Sequence, residues 1–176
     1  MLDKSYKSII LMTKIKKFKT ADLCDDYSDN LVILSQQFRS YGKKESFCGQ
    51  ISTVKCFNDN SKVREAVTSA GDGRVLVVDG NASTDCALLG DMLAEAAVKN
   101  NWAGIIVNGC IRDSDVIAKI DLGVFALSTI PLKSVKKDIG ERDVEIEFMN
   151  VKFKPGNYIY ADLDGVIISE TELEIN

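Results

Sequence analysis

The 176-residue chain has no histidine. That absence removes Ser-His-Asp and Cys-His nucleophile systems, HExxH zinc proteases and His-ligated zinc fingers. Any acid–base step must fall to carboxylates, Lys, Cys, Tyr or bound water. Oxygen ligands point any metal site toward a hard ion such as Mg2+ or Mn2+. A basic surplus is also missing: 26 acidic side chains against 22 basic ones give a net charge of −4 and a pI near 5.0. This balance disfavours a dedicated nucleic-acid binder. The five cysteines (Cys24, Cys48, Cys56, Cys86 and Cys110) are odd in number and form no CxxC pair, so they mark neither a disulfide framework nor a zinc site. They read as small buried hydrophobes in a reducing compartment. No apolar run approaches the roughly 18 residues of a membrane span. Ser8-Ile9-Ile10-Leu11-Met12 is too short for a secretory core. The expectation is a soluble, cytoplasmic chain.

What is present fits one domain of ordinary size. Residues 1–19 stand apart as a basic arm, with six lysines (Lys4, Lys7, Lys14, Lys16, Lys17, Lys19) against Asp3. The arm reads either as a flexible, solvated terminus or as a strand of charge for an acidic partner. Met12 offers an alternative start that would remove half of it. Residues 20–176 form the expected domain and hold 25 acidic against 16 basic side chains.

Thr20 is placed as the N-cap of a helix with acids in its first turn. Residues 46–57 (SFCGQISTVKCF) read as a strand. Val63, Ala66, Val67 and Ala70 recur at helical spacing, and Gly71 and Gly73 end that helix. Arg74–Asp79 (RVLVVD) and Gly104–Val107 (GIIV) are continuous apolar runs, the mark of strands buried on both faces. Between them, a loop at Gly80–Ser83 leads to a helix running to about Asn100. A short helix from Asp113 to Ile120 precedes a strand near Val124–Leu127. Beyond Pro131, short strands are expected at 144–148, 151–153, 158–161 and 166–169, with turns at Pro155-Gly156 and Asp164-Gly165. The sum is an α+β fold.

Both buried strands end in polar loops, Asp79-Gly80-Asn81 and Asn108-Gly109-Cys110-Ile111-Arg112-Asp113, where ligand sites of such sheets usually sit. Gly90 would cost about 1 kcal/mol inside a helix. Either the regular helix starts there, leaving the amides of Gly90, Asp91, Met92 and Leu93 as an anion site, or Gly90 permits close helix packing. Arg112-Asp113 also has two readings. Arg112 binds a carboxylate or oxyanion while Asp113 holds a metal, or Asp113 caps a surface helix. Adjacent Arg and Asp side chains are expected to diverge rather than pair. Arg142-Asp143, beside a strand, is read as structural.

TADLCDDY (20–27), GQISTVKCFNDN (49–60), GRVLVVDG (73–80), LLGDMLAEAAVKNNWAGIIVNGCIRD (88–113), GERDV (140–144) and YADLDGVIIS (160–169) together resemble the family of regulators of ribonuclease E activity. That family also contains the 4-hydroxy-4-methyl-2-oxoglutarate aldolases. The resemblance spans about residues 20–172 and implies a β/β/α swivelling-type domain in a ring-shaped homotrimer. It implies one of two activities. One is a divalent-metal lyase that cleaves 4-hydroxy-4-methyl-2-oxoglutarate to two pyruvates and decarboxylates oxaloacetate. The other is a regulator that binds ribonuclease E or its partner RNA helicases and inhibits RNA cleavage without binding nucleic acid itself.

Aldolase-type members carry a Gly-Asp-x-Leu turn and an Arg-Asp pair about twenty residues later. This chain has Gly90-Asp91-Met92-Leu93 and Arg112-Asp113. The resemblance implies a Mg2+ or Mn2+ held by Asp113, Asp91 in the outer shell moving a proton through water, and the 90–93 amides holding the 2-keto acid's carboxylate. It implies Arg112 as the group that stabilises the enolate oxygen. A further family carboxylate falls near Asp115 or Val116 and is not aligned to either.

Overall fold

The computed structural model describes residues 17–35 and 37–175. Nearly all of the basic arm therefore lies outside the described residues, along with the second start at Met12. In chain order the elements are α1 (Thr20–Tyr27), a 3-10 turn (Ser28–Asn30), β1 (Leu31–Leu34), β2 (Arg39–Ser40), β3 (Phe47–Lys55), α2 (Ser61–Val67), β4 (Val75–Asp79) and β5 (Ala87–Leu89). They continue with α3 (Asp91–Lys99), β6 (Gly104–Ile111), α4 (Ser114–Ile117), β7 (Gly123–Thr129), β8 (Glu141–Arg142), β9 (Ile146–Phe148), β10 (Val151–Phe153), β11 (Tyr158–Asp162) and β12 (Gly165–Ser169).

The two apolar runs become β4 and β6, which lie side by side in parallel. Both faces of this pair are covered, so neither strand needs a polar side. Leu76, Val78, Ile105 and Val107 pack under α2 and α3 with Val63, Ala66, Val67, Ala94 and Ala97. Val75, Val77 and Ile106 face the opposite core with Phe47, Phe125, Phe148 and Phe153. Burial of such side chains contributes roughly 1.5–3 kcal/mol each. The large sheet runs β1-β12-β11-β3-β4-β6-β7-β2. The β3–β4–β6–β7 portion is parallel, and the β1–β12–β11–β3 portion is antiparallel. β3 joins the two portions: Phe47–Gln50 pair with β11, and Ile51–Lys55 with β4. The result is a mixed α/β single domain with one large sheet and few helices.

Four expectations change. Thr20 is not an N-cap: it is the buried first helical residue, and its N–H and Oγ1 donate to Asp162 at 2.7 and 2.6 Å. The cap is thus supplied from the β11–β12 turn. Ala70 lies past the end of α2 and is exposed. The helix expected after Ser83 begins only at Asp91, and Ala87–Leu89 form a strand. Asn108–Ile111 continue β6 rather than forming a loop. Three of the five cysteines agree with the buried-hydrophobe reading: Cys56, Cys86 and Cys110 are buried thiols outside any disulfide, whereas Cys24 and Cys48 are only half-buried. Burial, helped by Asp79, Asp59 and Cys86, pushes the Cys56 thiol up to about 12. No helix among the described residues is long and apolar enough to cross a membrane.

At the N-terminal ends of the parallel strands the backbone makes room for one ring. Gly104 and Gly123 face each other across β6 and β7. A Cβ on either would come within 2.2 or 2.0 Å of Phe47. Phe47 itself lies edge-on to Phe125, with centroids 5.1 Å apart. Gly104→Ala should destabilise the protein by about 1–3 kcal/mol in urea unfolding, as overpacking does. Pairing it with Phe47→Leu should cost less than the sum of the two single changes.

Candidate active site

The site is built by a β-α-β return. β5 lies parallel to the end of β6, with Leu89 beside Ile111, and the Arg112 N–H donates to the Leu89 carbonyl at 2.9 Å. The chain leaves β5 at Gly90, runs out along α3 and returns through β6 to Arg112. This path places Gly90-Asp91 and Arg112-Asp113 side by side. The 21 residues from Asp91 to Arg112 are one helix out and one strand back.

Gly90 is extended and opens α3; its carbonyl accepts the Ala94 N–H at 3.1 Å. Of the two readings of Gly90, the helix start is the one observed, and the close packing is against the Arg112-Asp113 pair rather than another helix. A Cβ at Gly90 would lie 2.9 Å from Asp113 Oδ2 and 3.3 Å from Arg112 Nε. The first-turn amides of α3 lack carbonyl partners within the helix, and the helix dipole adds positive potential there. Asp91 Oδ1 already accepts the Met92 N–H at 2.7 Å, so this amide reaches an incoming anion only when Asp91 turns aside. The Met92 side chain is 77% exposed, whereas Leu93 packs on the helix-side core.

Arg112 and Asp113 do pair, with Nε 3.4 Å from Oδ2, contrary to the divergence expected of neighbours in a strand. The reason is backbone. Asp113 has φ 56° and ψ 38°, a left-handed conformation that breaks the alternation of successive side chains. Asp113 occupies the N-cap position of α4 but makes no side-chain cap bond. Its carboxylate is therefore not consumed by the helix. Both side chains are 38% exposed, half in water and half against the fold. Asp115 is exposed in the first turn of α4.

The other predicted loop does not join this site. Asp79 is buried, and its Oδ1 accepts the Asn81 N–H at 2.9 Å and Asn108 Nδ2 at 3.1 Å. It ties the ends of β4 and β6 together. Arg142 contacts Glu65 at 3.2 Å, and the Asp143 carboxylate accepts the Ser52 hydroxyl, in keeping with the structural reading of that dipeptide. Among the described residues, no group of three or more acidic or thiol side chains is arranged to hold a metal.

One supporting part was not anticipated. A strap after Pro131 covers the free side of β5: the Ala87 N–H donates to the Leu132 carbonyl at 2.8 Å, and Ala87 bridges Lys133. Buried Asp59 anchors the strap by accepting N–H groups of Lys137 at 2.6 Å and Ile139 at 3.2 Å, besides Ser61 at 2.7 Å. In the sequence the Asn58-Asp59-Asn60-Ser61 run only ends the pattern of the strand before it, because Lys137 and Ile139 lie some 80 residues on. Burial alone would raise the Asp59 pKa, but bonds from the Ser61 hydroxyl and the three amides outweigh it and hold the carboxyl at about 2. A depressed carboxylate stabilises the fold above its unfolded pKa and loses that contribution as pH falls through about 2. Asp59→Asn should therefore lower the urea midpoint near neutral pH. The gap from wild type should narrow between about pH 4 and pH 2.

Comparison with known proteins agrees with this architecture. A family model described as RraA-like, aldolase/RraA, matches residues 20–168. A relative from Aromatoleum aromaticum, provisionally named a 4-hydroxy-4-methyl-2-oxoglutarate aldolase, is 55% identical over 157 residues, covering 89% of this chain and 99% of its own. A Pseudomonas putida protein of the same provisional name is 50% identical over 161 residues, covering 92% and 99%. Among solved structures, the RNA-processing inhibitor RraA from Thermus thermophilus superposes with a TM-score of 0.87 at 36% identity, covering 90% of this chain and 96% of that one. A Geobacillus kaustophilus protein described as an S-adenosylmethionine:2-dimethylmenaquinone methyltransferase gives 0.87 at 49% identity, covering 89% and 97%. With a match over most of its length and relatives at half identity or more, the chain belongs to the aldolase/RraA family.

Proposed function

We propose that the protein is a divalent-metal-dependent lyase of 2-keto acids, cleaving 4-hydroxy-4-methyl-2-oxoglutarate to pyruvate and decarboxylating oxaloacetate. The observation that carries this reading is the juxtaposition of Gly90, Asp91, Arg112 and Asp113 at one helix start. The family names of the close relatives support it.

The donor set fits a hard ion that keeps most of its water, as Mg2+ does with one or two carboxylates. Asp113 would hold it, with Asp91 beside it. When bound, such an ion polarises the keto group and offsets negative charge on its oxygen. The protein's own groups do the rest. The α3 amides and Arg112 receive and orient the carboxylate. The C4 hydroxyl gives up its proton, the C3–C4 bond breaks, and its electron pair passes into the enolate of one pyruvate while the other leaves as the keto acid. Arg112 stabilises the enolate oxygen. Asp91, through a water, takes up the hydroxyl proton and returns one to C3. No step calls for histidine.

The likeness to an RNA-processing inhibitor supports a second role, contact with ribonuclease E or its helicase partners. The surplus of acids over bases in residues 20–176 disfavours a direct RNA contact. The ring-shaped homotrimer belongs to the same proposal, supported by the exposed apolar side chains of Phe57, Leu132, Val135 and Ile139 near the strap. Methyl transfer has less support. The one Gly-x-Gly of the chain, Gly71–Gly73, lies before β4, at the end of the sheet away from the usual ligand loops.

Pyruvate release from oxaloacetate in Mg2+ should fall by about 100-fold or more in Arg112→Ala, as loss of an oxyanion donor does. It should be abolished by EDTA and in Asp113→Ala. Gly90→Ala should fold, because the atoms it meets belong to side chains and not to backbone, yet lose most turnover. Wild-type release no faster than that of Arg112→Ala and Asp113→Ala would refute the lyase. Ribonuclease E binding that survives Asp113→Ala would separate the two roles.

A further inference from the structure

The strand order of the large sheet leaves β1 at one end and β2 at the other, and the two ends differ. β2 is two residues long and carries Arg39, whereas β1 is Leu31-Val32-Ile33-Leu34, with no charge and no proline to blunt it. β1 pairs with β12 on one side only, in antiparallel register from Leu31 opposite Ser169 to Leu34 opposite Val166. Alternate N–H and C=O groups of an end strand point away from its neighbour, where another extended chain can pair with them. Val32 is 49% exposed and Ile33 60%, and successive residues of a strand face opposite sides of the sheet. A strand laid along β1 would therefore cover an apolar side chain on each face.

At its Leu31 end β1 meets a groove of about 1000 Å3, whose walls include Lys152, Lys154, Asp29, Glu170 and Glu174. Lys152 is already 3.5 Å from Glu145. Asp29, Glu170 and Glu174 are exposed and take part in no ion pair among the described residues. These carboxylates against the Lys154 ammonium give the groove a negative balance. We propose that the β1 edge is a docking strand for an extended segment of another protein, apolar where it runs along Leu31–Leu34 and carrying Lys or Arg where it passes Leu31 into the groove. Main-chain pairing supplies the affinity, while the exposed apolar side chains and the carboxylates select the segment. A second copy of this chain fits less well, because residues 20–176 hold 25 acidic against 16 basic side chains and two such bodies repel. β12, β11, β3 and β4 separate β1 from β6, so the docking leaves the Arg112 site open and does not depend on the lyase reading.

Fluorescence anisotropy with the full chain and a labelled peptide, Thr-Val-Thr-Val-Arg-Lys-Arg, tests the proposal. Laid antiparallel to β1, this peptide brings its basic end to Leu31. Saturable binding in low salt is expected, weakening as salt rises. Asp29→Asn/Glu170→Gln/Glu174→Gln should weaken it about five-fold. Ile33→Lys, which puts a charge on the edge, should abolish it. A peptide with Pro-Pro at its second and third positions keeps the charge but loses main-chain donors, and it should not bind. In the wild-type complex, amide hydrogen exchange read by mass spectrometry should slow across residues 31–34. No binding of the first peptide would overturn the docking strand, as would equal binding of the Pro-Pro peptide or slowed exchange only outside residues 31–34. Binding untouched by the triple substitution would overturn the charge selection.

Discussion

Everything at the site depends on three residues of β5 lying parallel to the last residues of β6. Leu88 and Leu89 are almost fully buried, and the Arg112 N–H closes on the Leu89 carbonyl. This pairing sets the start of α3 against the end of β6. It explains why a Gly-Asp turn and an Arg-Asp pair recur about twenty residues apart, since that is the length of a helix and a strand in series. It also explains why residue 90 is glycine, since any Cβ would take the space held by the Asp113 carboxylate. The strap on the other side of β5, pinned by Asp59, keeps the short strand from fraying. A positioning residue for the site thus lies some 30 residues before Gly90 and shares no motif with it.

The two poles of the parallel strands are built on different principles. At one, glycines in β6 and β7 let Phe47 lie flat on the backbone and join the core that links the antiparallel and parallel portions. At the other, a left-handed residue, the start of α3 and a guanidinium gather polarity where the sheet ends. Packing fills the first pole, while the second keeps its charged side chains partly exposed.

The sequence made the long elements readable because both faces of β4 and β6 are buried, and burial on both faces leaves an unbroken apolar run. It also marked Gly90 as a residue out of place in a helix. It did not reveal β5: Ala87, Leu88 and Leu89 are good helix formers, and only pairing with Cys110 and Ile111 makes them a strand. The Arg112–Asp113 pairing was hidden because alternation along a strand forbids it, and the left-handed turn at Asp113 leaves no mark beyond an Asp being tolerant of it. The Thr20–Asp162 and Asp59–Lys137 contacts join residues far apart in the chain, which local patterns cannot show. β1, β2 and β8 are too short for periodicity to carry.

The central claim is that Arg112, Asp113 and the start of α3 form one site for the enolate of a 2-keto acid held beside a divalent cation. Calorimetric titration with oxalate, a planar dianion that mimics pyruvate enolate, tests it most directly. The account predicts saturable binding in Mg2+, absent without the metal and lost in both Asp113→Ala and Arg112→Ala. Oxalate binding of equal affinity in EDTA, or in either variant, would contradict it.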